Sequence, residues 1–107
     1  MRTFPFVLLL AGLSGPACAE FMTAQQLREY LDDARSGTSF KSLTVAMGYV
    51  AGVYDMVDRQ QVCITHELSA REAMDIVHRY LNAHRGDLDQ PASKLVVKAL
   101  AEEFPCK

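Results

Sequence analysis

Residues 69–84 read SAREAMDIVHRYLNAH, and the spacing of their apolar side chains decides the fold class. Ala70, Ala73, Met74, Val77, Tyr80, Leu81 and His84 recur at steps of three and four, which makes one stripe on a helix of 3.6 residues per turn. Ser69 is followed three residues later by Glu72. That is a capping box: the hydroxyl takes one orphan backbone N–H and the carboxylate takes another. Gly86 is placed to receive the chain as it leaves the helix. A strand would need alternation at period two, and this stretch has none.

The same period extends in both directions. In 23–34 (TAQQLREYLDDA), Thr23 and Gln26 form a second capping box, and Leu27, Tyr30, Leu31 and Ala34 share a face. Met22 and Leu27 are spaced as a hydrophobic staple, and Ser36-Gly37 ends the helix. In 40–58 (FKSLTVAMGYVAGVYDMVD), Leu43, Met47, Val50, Tyr54 and Val57 mark the stripe. In 89–104 (DQPASKLVVKALAEEF), Asp89 can cap and Pro91 suits the first turn; Ala92, Leu95, Val96, Ala99, Leu100 and Glu103 follow on one face, and Pro105 stops the helix. Only 60–65 (QQVCIT) is ambiguous between strand and loop. The pattern predicts an all-α domain, a small bundle of about four helices with short connections.

Two glycines interrupt the second helix. Gly48 and Gly52 lie four apart and so share a face. Each costs a helix about 1 kcal/mol relative to alanine. The expectation is that another backbone approaches closely there, by tight helix packing in the core. Close contact with a partner protein is the alternative.

The N-terminus bears on the cysteines. Arg2, an apolar run over 6–13 and small residues ending in Ala17 and Ala19 form the pattern of a secretory signal peptide, cleaved after Ala19. The run is shorter than the roughly 20 residues that span a bilayer, which argues against an anchor or a core helix. Lipidation at Cys18 is the other reading, although Gly15 stands where a branched apolar residue is usual. Cleavage removes Cys18 and leaves a domain of residues 20–107 with Cys63 and Cys106. Two cysteines in an exported chain form one disulfide by default. Closing a loop of about 40 residues would stabilise the fold by about 4 kcal/mol. In a domain this small that is a large share of the total.

Composition excludes some partners. The chain has 11 Lys+Arg against 13 Asp+Glu, a formal charge of −2, and no basic stripe. Nucleic acid and anionic lipid are disfavoured, and no membrane insertion is expected once the signal is cleaved. Cys63 and His66 have the spacing of a metal pair, but nothing completes three or four ligands. His78 and His84, six apart, do not share a helix face, and His84 suits a helix C-terminus. A nucleophilic Cys/His pair would need a free thiolate. No nucleophile elbow, phosphate loop or HExxH is present, and the adjacent Glu102 and Glu103 diverge around a helix. The sequence therefore reads as a binding module with no enzyme activity, metal or cofactor. Its candidate contact element is the polar segment 58–67 (DRQQVCITHE), with Arg59, Gln60, Gln61 and His66 as partner-facing residues. A disulfide at Cys63 would pin this loop, and a rigid loop loses less entropy on binding.

Four pieces together resemble a known family: GYVAGVYD at 48–55, VCI at 62–64, AMDIVHRYLNAH at 73–84 and LVVKALAEEFPC at 95–106. Their order and spacing are similar to the Rap/Tai group, periplasmic immunity proteins that protect bacteria with type VI secretion from peptidoglycan amidase toxins. The resemblance covers about residues 43–106. It implies a small all-α domain, often a homodimer, that blocks the groove of a cognate amidase toxin, with Cys63–Cys106 as the structural bridge. The chain departs from the group in one respect. Members often carry a second cysteine pair, one cysteine in the first helix and one just before the Gly-Tyr; here Met47 fills the latter place and the first helix has none. The alternative function from another class is a small periplasmic stress chaperone of helical, single-disulfide type.

Overall fold

The computed structural model describes residues 22–107; the signal-peptide and Cys18 readings lie outside the described residues. Four helices follow in order: α1 (Ala24–Ser36), α2 (Phe40–Val57), α3 (Ala70–Ala83) and α4 (Ala92–Glu103), with a 3₁₀ turn at Arg85–Asp87 between the last two. The described residues contain no strand, and none of their helices is long and apolar enough to cross a membrane. The 60–65 segment is loop, touched only by an isolated bridge between Asp58 and Val62.

The starts of α1 and α3 are closed as the sequence predicts. Thr23 and Gln26, and Ser69 and Glu72, exchange both hydrogen bonds of a capping box. Gly37 ends α1 in the left-handed region at φ 75°, where a residue without a Cβ is unstrained. Two other expected caps are corrected. Gly86 lies inside the 3₁₀ turn and His84 occupies the C-cap of α3. Pro91 is the N-cap of α4, with no side-chain cap from Asp89. Backbone from elsewhere in the chain does that work. The N–H of Ala92 donates to the Met22 carbonyl at 2.9 Å, and those of Ala24 and Gln25 donate to Gln90 and Leu88. The lead-ins of α1 and α4 thus satisfy each other's orphan donors.

The core is built from one stripe of each helix. α1 gives Ala24, Leu27 and Leu31; α3 gives Ala73, Met74, Val77 and Leu81; α4 gives Ala92, Leu95, Val96, Ala99 and Leu100. Val62 joins them from the loop. Expected members that face out instead are Ala70 and Glu103. On α2 the buried side is Ser42, Ala46, Val50 and Val57, so Leu43, Met47 and Tyr54 sit at its edge. The small Ser42 and Ala46 face inward and let α2 sit close to the bundle. That corrects the reading of the glycines as sites of tight packing in the core. Gly48 and Gly52 are exposed, and a Cβ built on either would meet nothing within 4 Å.

Candidate functional site

The loop between α2 and α3 is set by backbone geometry at one end and by a covalent bond at the other. α2 ends at Asp58, whose N–H donates to the Tyr54 carbonyl at 3.0 Å. Arg59 then adopts φ 69°, the left-handed region that costs a side-chain-bearing residue about 1 kcal/mol. This reversal lets the N–H groups of Gln60 and Gln61 return to the Val57 carbonyl, both at 3.0 Å. Val62 is driven into the core. Cys63 is bonded to Cys106, with Cα atoms 5.0 Å apart across a separation of 43 residues. A hydrogen bond from the Cys63 N–H to the Phe104 carbonyl, 2.9 Å, lies beside the disulfide.

The four residues proposed for contact fall on this loop. Arg59, Gln60 and Gln61 are exposed at the tight turn. His66 is exposed as well, but its ring meets Phe104 edge-on, with centroids 5.6 Å apart and planes at 64°. The C-terminal segment therefore supports the loop twice, through the disulfide and through Phe104. One carboxylate oxygen of Asp58 is shielded from solvent and has no hydrogen-bond partner among the described residues.

A second polar assembly escaped the sequence reading. His78 is buried, 8 % exposed, on the face of α3 that meets α1. Its Nε2 lies 2.6 Å from Asp32 Oδ1, and its Nδ1 lies 3.1 Å from an Arg35 guanidinium nitrogen. Guanidinium can only donate, so Nδ1 accepts, and the neutral ring carries its proton on Nε2, donating to Asp32. Arg28 extends the seam with a 2.8 Å bond to Asn82, and Arg35 lies 3.9 Å from Asp75. Both ring nitrogens of His78 are engaged, so the ring has no free lone pair for proton abstraction. The available signal was spacing: His78 lies four residues after Met74, on the same stripe.

His84 is held differently. Its ring stacks on Tyr80 at 3.8 Å between centroids, and its Nδ1 lies 2.8 Å from the Tyr80 carbonyl. Burial, with the charges of Glu102 and Asp87 added, pushes the Tyr80 phenol above its ordinary value of 10.0. Cys63 and His66 gain no third ligand: among the described residues no three His, Cys, Asp or Glu side chains converge on a point.

A comparison with known protein families matches residues 18–106 to the Rap1a immunity proteins. The chain belongs to the Rap1a immunity protein family. The match spans all four helices and the Cys63–Cys106 bridge, so the Rap/Tai resemblance read from the sequence holds. Membership makes this an immunity-type protein with a toxin as its protein partner. Among curated proteins, none matches the chain.

Proposed function

We propose that this Rap1a immunity protein acts in the periplasm, where it binds and blocks a peptidoglycan amidase toxin delivered by type VI secretion. The observation that carries the reading is the family match over residues 18–106. The N-terminal pattern of Arg2, an apolar run and Ala17-x-Ala19 supports export, and a disulfide that closes about half of the domain suits an oxidising compartment. The stapled 58–67 loop supplies the contact element. It is polar, exposed at Arg59, Gln60, Gln61 and His66, and held by both its backbone and the C-terminal segment. Blocking needs no chemistry from the immunity protein, only a rigid surface that fills the toxin's groove. The homodimer implied by the family resemblance is part of this proposal.

The test is direct. The oxidised chain is mixed with the amidase encoded beside it, and release of peptide from purified peptidoglycan is followed. Stoichiometric inhibition is expected, and substitution of Arg59 and His66 by alanine should weaken it. Absence of both binding and inhibition would sink the amidase reading.

A further inference from the structure

Two helices turn stripes of similar make-up toward one cleft. On α1 the stripe is Leu31, Ala34 and Arg35; on α3 it is Arg71, Met74, Asp75 and His78, each at steps of three and four. Together with Leu43 of α2 they line a cleft of about 170 Å³. Its floor is apolar: Leu31 and Met74 are buried, and Ala34 and Leu43 are partly buried. Its rim carries Arg35, Arg71 and Asp75, all exposed.

The fold gives no reason for this rim. Arg71 is the second residue of α3, where the positive end of the helix dipole disfavours a cation. It enters no ion pair among the described residues, although Asp75 stands one turn away. Arg35, by contrast, is held in place. Nδ1 of His78 accepts from its guanidinium at 3.1 Å, and Asp32 holds the far side of the ring at 2.6 Å. A guanidinium has five N–H donors, so this contact leaves donors to spare. Asp75 lies 3.9 Å from Arg35, beyond hydrogen-bond reach.

We propose that this cleft binds a free α-amino acid with an apolar side chain. The carboxylate lies between Arg35 and Arg71, the ammonium on Asp75 and the side chain on the floor of Leu31, Ala34, Leu43 and Met74. The charges select the class. The rim offers two cations and one anion, and a zwitterion answers with one anion and one cation. A simple carboxylate would leave Asp75 facing a like charge, and a simple amine would face two arginines. The planar fork of arginine matches the two oxygens of a carboxylate. The N-terminal end of α3 favours the same anion. The volume selects the size: it is below the roughly 300 Å³ of pockets that take drug-sized ligands, which suits a single amino acid and not a peptide segment. The buried His78–Asp32 pair gains a role here. It positions Arg35 before the ligand arrives, which lowers the entropy lost on binding. The proposal does not rest on the immunity reading and concerns a ligand other than the toxin.

The experiment is an NMR titration of the purified, oxidised full chain with L-leucine, N-acetyl-leucine and leucinamide. Leucine should give saturable shifts at the Met74 methyl and the Arg71 and Asp75 amides. N-acetyl-leucine lacks the ammonium and leucinamide lacks the carboxylate, so each should bind at least about tenfold more weakly. The same two probes mimic the ends of a peptide and so separate a free amino acid from a peptide terminus. Arg71→Gln and Asp75→Asn should each weaken leucine by about tenfold. Both residues are exposed, so helical circular dichroism should be unchanged. Absence of saturable shifts with leucine overturns the proposal. So do shifts that map away from the cleft, blocked forms that bind as well as leucine, or an affinity indifferent to both substitutions.

Discussion

α2 and α3 are adjacent helices of opposite construction. α3 buries Ala73, Met74, Val77, His78 and Leu81 and turns Arg71, Glu72, Asp75 and Arg79 to water. α2 buries small residues and turns glycine, threonine and two isolated charges outward. The outer face of α3 can remain in water, because its charged side chains are well hydrated there. The outer face of α2 has little that water favours, and it gains most from being covered. The difference teaches that the sequence encodes two kinds of surface, and that the glycines belong to the second kind.

The predictions press on this contrast, and the largest concerns the link between the two helices. Cys106→Ser opens the loop that joins them and should lower unfolding free energy by about 4 kcal/mol. Urea denaturation with and without reductant reads it. If the reduced wild type is as stable as the oxidised one, Phe104 and the Cys63 hydrogen bond are enough to hold the loop.

The next breaks the buried side of α3, where it meets α1. His78→Ala removes a buried ring with two partners and should lower the unfolding free energy by about 2–3 kcal/mol, read by urea denaturation. An unchanged midpoint would show that water replaces the ring as the partner of Asp32 and Arg35.

The third sharpens the reading of α2. Since neither glycine has a neighbour in the way, Gly48→Ala and Gly52→Ala should each stabilise the isolated fold by about 1 kcal/mol through helix propensity. Tight packing within the chain would give the opposite sign. Thermal melts of each variant against the wild type read the sign.

The smallest effect lies on the far side of α3. The folded-state phenol of Tyr80 is raised above 10.0. The group therefore contributes stability that is present below pH 10 and lost as pH rises past that value through the folded value. Tyr80→Phe should flatten the fall in melting temperature between pH 10 and higher, and leave neutral pH almost unaffected.

Much of this was legible before any coordinates. The capping boxes at Thr23 and Ser69 and the αL glycine at Gly37 are local: their partners lie within three or four residues, so the pattern states the geometry. The bridge followed from the count of cysteines on the reading that Cys18 leaves with a signal peptide. The candidate loop was legible as a polar segment around Cys63, but not its shape, because Arg59 shows no glycine-like signal and its positive φ is imposed by the return to Val57. The support of His66 by Phe104 joins residues far apart in the chain.

The sequence by itself determined the helices, the capping boxes at Thr23 and Ser69, the disulfide pair and the family, since each rests on short-range spacing or on residue identity. Only the tertiary structure decided which way α2 faces. Leu43, Met47 and Tyr54 make a plausible stripe, and so do Ser42, Ala46, Val50 and Val57. Periodicity alone cannot choose between two stripes of an apolar helix. The choice was made by how closely the bundle must approach, which favours the smaller side chains inward. It is that rotation which sends Gly48 and Gly52 to the surface. His78 was decided in the same way: a histidine on an apolar stripe is buried only because Asp32 and Arg35 arrive from α1 to satisfy both of its nitrogens.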